Sequence, residues 1–332
     1  MPSTEWKEAV ADDEETRFAG YAEALKEIQA KSAENGKPAR ALHAKGHNGL
    51  RAELEILPDL PEHARQGIFA APGKYEAFVR YSNGAARRQS DRAGDVRGIA
   101  IKVLGVKGPK IIPGLESATT QDFLAIQSSA TPFRTPDEFV AFVRAMQSPL
   151  SLVFRLLGAI GPVRAFQILG KVARSAGAPV GSLAGIPFYS ALPIRVGPYA
   201  ARFAFEPLQA TDAAAPEDRA RDYLGDDLSA RVAKGPIAYD MKLQFFEDET
   251  KTPIEDASVD WTSPYVKVAR LTIPKQDTTS AEGRELAAKV EAMSFDPWHA
   301  LAEHKPLGAM MRARKHAYYA SIKGRDASAE PS

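Results

Sequence analysis

Near the end of the chain, in the stretch MMRARKHAYYASIKGR, Arg314 and Tyr318 stand four residues apart. On a helix that spacing puts both side chains on one face, one turn from each other. A phenol is ordinarily a poor metal ligand because it holds its proton until about pH 10. A guanidinium one turn away favours the phenolate, and so does a ferric ion bonded to the oxygen. The pair is what a helix needs to offer an anionic oxygen to iron, and it is equally compatible with an ordinary surface contact. A second candidate lies near the other end, in RALHAKGHNGLRAELEIL, which begins at Arg40. A cation, His43 three residues on, a Gly-containing bend and an alternating strand follow without spacer. An imidazole titrates near neutrality and suits proton transfer without special tuning. On the residues alone, His43 is either the last residue before a strand or a group aimed into a barrel. His47, four residues on, reads as a loop histidine rather than a second base.

The elements that must position these residues fall into two series. Alternating apolar and polar residues predict strands at LRAELEIL from Leu50, YEAFVRYS from Tyr75, GIAIKVLG from Gly98 and DFLAIQ from Asp122. A second set follows at SALPIRV from Ser190, AARFAFEP from Ala200, IAYDMKLQFF from Ile237 and YVKVARLTI from Tyr265. Eight short strands in two groups of four favour a closed antiparallel barrel or a sandwich over a βαβ sheet. Residues 12–31 read as an amphipathic helix with acids in its first turn. Helical patterns also cover residues 136–175 and the end from Ser280 to Lys323, the latter interrupted at SFDPWHALAEHKPLG. The tail DASAEPS reads as disordered.

Composition narrows the chemistry. The 332 residues contain no cysteine, which excludes disulfides, a cysteine nucleophile and thiolate-held metal. A formal net charge of +1 leaves no global field to draw nucleic acid. The acidic N-terminus lacks the apolar run of a secretory signal, and the greasiest stretch, Leu150 to Leu169, is broken by Arg155, Pro162 and Arg164. The expectation is a soluble, cytoplasmic protein. One local bias stands out: no Asp or Glu occurs from Phe139 to Phe205, although seven Arg and Lys do. Such a segment is either a helical wrapping with solvated cations or a basic, greasy surface suited to anionic lipid or a carboxylate-bearing substrate.

Taken together, these motifs resemble the haem catalase superfamily, in particular its short, single-domain catalase-related peroxidases. The family's proximal motif Arg-x-x-x-Tyr is matched by Arg314 and Tyr318, which implies Tyr318 as the axial ligand of haem b. Its distal motif Arg-x-x-His-Ala-Lys-Gly is matched by Arg40, His43, Ala44, Lys45 and Gly46, which implies His43 as the distal base. The stretch VRYSNGAARRQSDRAGDVRGIAIKV is similar to the family's Val-Arg-Phe-Ser followed by Asp-x-Arg-Gly-x-Ala-x-Lys. It implies Ser82 as the hydroxyl that orients the histidine, and Arg40, Arg80 and Arg325 as partners of the haem propionates. DFLAIQSSATPFRTPDEF aligns without a gap and implies Phe139 over the distal face of the porphyrin. The resemblance runs from about residue 38 to 326. It implies an α+β, catalase-like eight-stranded antiparallel β-barrel with surrounding helices and a C-terminal proximal helix. Residues 1–37 would then form a helical arm, 38–326 the haem domain and 327–332 a disordered tail.

The departures bear on activity. Where catalases place an asparagine to hold peroxide, the gapless comparison puts Ile126, with Gln127 beside it as the candidate replacement amide. The chain has only three asparagines, Asn35, Asn48 and Asn83, none in this segment. Losing such a donor typically costs about a hundredfold in rate. Asn83, where catalases usually carry Thr or Val, would add polarity to the pocket. The implied function is a haem-dependent hydroperoxidase, a peroxidase with weak catalase activity acting on hydrogen peroxide or organic hydroperoxides with a small reducing co-substrate. The alternatives are a fatty-acid hydroperoxide-transforming enzyme resembling allene oxide synthase, a non-catalytic haem-binding barrel, and a metal-free lipid-binding barrel. The reading includes no nucleic-acid partner, and leaves open a peripheral membrane contact and a homo-oligomer.

Overall fold

Fully buried side chains line up across the strands in opposed rows. Leu50 faces Val79, Val79 faces Ile101, and Ile101 faces Phe123. Such a row forms only when antiparallel strands share a register that turns every second residue inward. The strands are β1 (Lys45–Ile56), β2 (Gly73–Asn83), β3 (Arg97–Leu104), β4 (Thr120–Ile126), β5 (Phe188–Tyr189), β6 (Ile194–Val196), β7 (Tyr199–Pro207), β8 (Ile237–Phe245) and β9 (Tyr265–Ile273). In this computed structural model, which describes residues 1–31, 40, 42–148, 151–178, 180–209 and 220–325, β1 pairs with both β2 and β9, and short β5 bridges β4 to β7. That closes an eight-stranded antiparallel barrel, β1-β2-β3-β4-β5-β7-β8-β9, with β6 a further short rung on β7. Closure removes the exposed edges that a sandwich would have to protect.

The interior is mostly apolar and holds a chain of hydroxyls. Tyr81 donates to the Tyr239 hydroxyl at 3.0 Å, and Tyr239 donates to the Leu183 carbonyl at 3.0 Å. Among the described residues, seven helices surround the barrel: α1 (Glu14–Lys31), α2 (Pro136–Met146), α3 (Leu152–Ile160), α4 (Pro162–Gly177), α5 (Tyr223–Lys234), α6 (Ala281–Ala292) and α7 (Ala309–Arg325). The expected helical regions are thus present, the middle one as three helices. Helix α5 has no counterpart among the sequence expectations. Its first turn is held by a tertiary contact, the Leu224 N–H donating to the buried Asp91 carboxylate. The expected tail, residues 327–332, lies outside the described residues.

The outer face of β2–β4 is covered too, which is why β2 is buried on both sides from Ala77 onward. Helix α6 lies over β1 and β2, with Val290, Met293 and Phe295 packed on Phe78. Gly49 permits this approach: a Cβ there would stand 2.4 Å from the Val290 Cβ. The pairing of β1 with β2 slips between Gly46 and Gly49, and this bulge re-aims the start of β1.

The N-terminal segment lies on the same body. Ser3 donates its N–H to the Phe246 carbonyl, Trp6 donates from its indole to the Pro198 carbonyl at 2.8 Å, and α1 runs along α7.

Candidate active site

His43 precedes β1 with φ of 56°, a left-handed conformation costing a non-glycine residue about 1–3 kcal/mol. Three hydrogen bonds hold the turn. The His43 N–H donates to the Gly84 carbonyl at 3.0 Å, the Ala44 N–H donates to the Ala85 carbonyl at 3.1 Å, and Arg80 donates to the His43 carbonyl at 3.0 Å. The turn delivers the imidazole onto the outer face of the barrel, where Nδ1 lies 2.9 Å from the Ser82 hydroxyl. Ser82, Gly98 and Ile126 are directly opposed on β2, β3 and β4, so their side-chain positions share that face. The ring lies over Gly98, where a Cβ would stand 2.8 Å from its Cε1. Burial drives the His43 pKa down to about 3, assisted by the charges of Arg80, Arg314 and Arg40. The imidazole is therefore neutral at physiological pH.

Ile126 occupies the face shared with Ser82, and Gln127 turns the other way. The Gln127 Oε1 accepts from the Arg97 N–H at 3.0 Å, and its Nε2 donates to the Ser175 carbonyl at 2.8 Å. Both ends of that amide are engaged away from His43. Asn83 and His47 depart from their sequence reading as well. His47 lies within β1 and is buried, with Nε2 2.7 Å from the Asn83 Oδ1. Asn83 in turn donates to Asp91 at 2.8 Å, and Lys45 donates to Asp91 and Asp222 at 2.6 Å each. The polarity of Asn83 thus satisfies a buried network beneath the bulge instead of the His43 face. The alternation of side chains from Ser82 to Asn83 is the reason.

Arg40 and Arg80 come together on one acid. The Arg80 Nε donates to Glu291 at 2.8 Å, and Arg40 donates to the Glu291 and Met293 carbonyls at 2.9 and 3.0 Å, with its Nε 3.5 Å from the same carboxylate. Glu291, on α6, was not singled out in the sequence. Its only signal there was a place just before the SFDPWH stretch.

On α7, Arg314 donates from Nη2 to the Tyr318 hydroxyl at 2.8 Å, with its guanidinium carbon 5.1 Å from the ring centre. The charge of Arg314 reaches His43, so the two ends of the chain share one electrostatic environment. A second set of groups missed by the sequence reading lies buried nearby. Lys102 donates to Asp122 at 2.8 Å, His299 lies 3.3 Å from both, and the Asp296 N–H donates to Asp122 at 2.9 Å. Burial pushes the Asp296 carboxyl up to about 6, while the charges of His299 and Arg314 pull against it. Phe139 lies on α2, edge-on to Phe133 at 5.4 Å, apart from this hydrogen-bonded group. Arg325 is the last residue of α7, and its side chain lies outside the described ones.

The site thus combines a closed antiparallel barrel, an Arg–Tyr pair on its last helix and a half-buried histidine on its outer wall. The chain has the fold of the catalases. It is 28% identical over 305 residues to the catalase-related peroxidase of Mycolicibacterium paratuberculosis, an overlap of 86% of this chain and 88% of that protein. Among solved structures, a fungal catalase superposes with a TM-score of 0.70 at 19% identity, covering 87% of this chain and 59% of its own. Catalase A from Saccharomyces cerevisiae gives 0.70 at 17%, covering 88% and 62%. A bacterial catalase gives 0.65 at 17%, covering 98% and 63%. The chain thus spans about three fifths of the length of the catalases it superposes on. No protein-family model matches it.

Proposed function

We propose that this protein is a haem-dependent hydroperoxidase, an oxidoreductase that behaves as a peroxidase rather than a fast catalase. The observation that carries the reading is the pairing of a neutral, half-buried His43 with an Arg314–Tyr318 hydrogen bond of 2.8 Å in one positive environment. The residues fit haem b. Three guanidinium groups act on the His43 site, a field that suits a cofactor with two carboxylates. Tyr318 would ligate the iron, Arg314 would steady the phenolate oxygen, and Arg40 and Arg80 would meet the propionates. When bound, haem supplies the redox chemistry that breaks a peroxide O–O bond.

The chain's own part is proton handling and orientation. With the Nδ1–H of His43 donated to Ser82, Nε2 keeps a lone pair that can accept the peroxide proton and return it to the departing oxygen. Because His43 resists protonation, the base is ready across the neutral range. Ile126 on the shared face and the engaged amide of Gln127 leave no directed amide for a second peroxide. That supports one-peroxide chemistry completed by a small reducing co-substrate. The apolar Ile126 also favours, as a second reading, an organic hydroperoxide as substrate, including one derived from a fatty acid.

The test is a ferric visible spectrum with phenolate character that is lost in Tyr318→Phe, and O–O cleavage that falls about 10²–10⁴-fold in His43→Ala while haem is retained. Full activity in His43→Ala would leave only a haem-binding barrel. A colourless protein after haem reconstitution would overturn the reading outright. Oxygen evolution, chromogen oxidation and consumption of linoleate hydroperoxide, measured side by side, separate the substrates.

A further inference from the structure

Helices α3 and α4 each carry two apolar faces. One face is core: Leu156 on α3, and Ala165 and Ile168 on α4, are completely buried against the barrel. The other stands in water. Phe154 is 78% exposed on α3, and Val163 and Phe166 are 71% and 62% exposed on α4. Large apolar side chains left in solvent on two adjacent helices mark a surface that something covers. Between them the exposed positions are small or neutral, as at Gly158, Ala159 and Gly170.

The charge on this hairpin has one sign. No acid lies between Phe139 and Phe205. Arg164 turns inward to Glu138 at 2.6 Å, and Lys171 donates to the Ser258 carbonyl at 2.9 Å. The exposed cations are Arg155 and Arg174. Arg155 borders a groove that Glu23 and Glu27 of α1 also line. A two-fold contact between copies would set this face against itself, cations included, with no acid from either hairpin to neutralise them. An anionic bilayer offers both missing complements, an apolar layer for the aromatic rings and phosphates for the guanidinium groups.

We infer that the α3–α4 hairpin is a peripheral docking surface for anionic phospholipid bilayers. Phe154, Val163 and Phe166 enter the interface, and Arg155 and Arg174 meet headgroup phosphates. The hairpin lies on the bilayer: no described helix is long and apolar enough to cross it. The surface stands independently of what the barrel catalyses.

Sedimentation of the full-length protein with phosphatidylcholine vesicles, with and without phosphatidylglycerol, tests the assignment. Binding is expected to the anionic vesicles and to weaken with salt. Arg155→Ala and Arg174→Ala should each lower the partition about fivefold. Phe154→Ser with Phe166→Ser should lower it by about tenfold or more, with the circular dichroism and thermal midpoint unchanged because both sites are exposed. Failure to bind anionic vesicles, or equal binding by the serine variant, overturns the proposal. Light scattering of the same samples identifies the other occupant: a wild-type dimer that the serine pair converts to a monomer, without vesicle binding, assigns the face to a second copy.

Discussion

At the scale of single residues, the site is a set of close approaches that tolerate little change. Gly98 is the clearest. An added methyl would meet the His43 ring at 2.8 Å from Cε1 and 3.1 Å from Nδ1. Gly98→Ala should therefore swing the imidazole off Ser82 and lower turnover by about tenfold to a hundredfold, with the fold intact by circular dichroism. Unchanged turnover would mean that the ring position is not critical. Ile126 makes the opposite prediction. It shares a face with Ser82, so Ile126→Asn should bring a peroxide-positioning amide to the site and raise oxygen evolution about tenfold or more. Gln127→Leu should leave oxygen evolution where it is, because that amide already bonds Arg97 and Ser175. Glu291 is the residue whose role the site makes most specific. It joins Arg40 and Arg80 through one carboxylate. Any carboxylate of a bound cofactor that seeks those cations must compete with it. Glu291→Gln should thus tighten haem binding in an absorbance titration of the apoprotein. Weaker binding would make Glu291 a support that holds the arginines in place.

At the scale of elements, α7 is set by the clamp at its start. The Ala309 N–H donates to Glu255 at 2.6 Å and the Gly308 N–H to Glu8 at 3.0 Å, so two carboxylates sit at the positive end of the helix. Arg312 then joins Glu8, Glu14 and Glu255 at 2.6, 2.7 and 3.2 Å. Burial works against charge at Glu8, but the Gly308 N–H and Arg312 outweigh it and hold the carboxyl below its ordinary range. This cluster ties the N-terminal segment, α1 and α7 together two residues before Arg314. Arg312→Ala leaves three acids without their common partner and should cost about 3 kcal/mol. It should also raise hydrogen exchange in both α1 and α7. Exchange confined to α7 would show that the N-terminal segment holds without the clamp.

At the scale of the molecule, buried histidines make stability depend on pH. His304 accepts from the Ile68 N–H at 2.9 Å through Nε2 and faces the Arg195 carbonyl through Nδ1, so it is held neutral. Burial puts its pKa at about 4, and that of His43 at about 3, both below the ordinary 6.5. The unfolded chain therefore takes up protons at these groups before the folded one does. Their contribution is complete above about pH 6.5 and is lost as the pH falls toward 4, by about 3 kcal/mol at His304 alone. Asp296 acts in the other direction, since its carboxyl, raised to about 6, takes a proton in the folded state first. His47 and His63, lowered by burial, and the lowered carboxyls of Glu8 and Glu14 act with these two imidazoles, while Asp95 and Glu249 act with Asp296, so the thermal midpoint should fall between pH 6.5 and 4. A midpoint that is level or rises across that window would show that these histidines are not buried as neutral groups.

Local pattern alone was enough for seven of the strands, because the two-residue period is a direct imprint of one face buried in a barrel. SALPIRV from Ser190 holds only the side rung β6, and the two-residue β5 that closes the ring just before it is too short to show a period. Helical spacing likewise paired Arg314 with Tyr318 without any knowledge of the rest of the chain. Other features depended on which distant segment comes to rest against which. Only the packing of α6 on β1 and β2 brings Glu291 to Arg40 and Arg80, across more than two hundred residues. The direction of the Gln127 amide, the burial of Asn83 beneath the bulge and the start of α5 on Asp91 are of the same kind. Alternation along a strand is written in neighbouring residues. The partner that satisfies a buried polar group is chosen by closure of the whole barrel, and no run of neighbours encodes it.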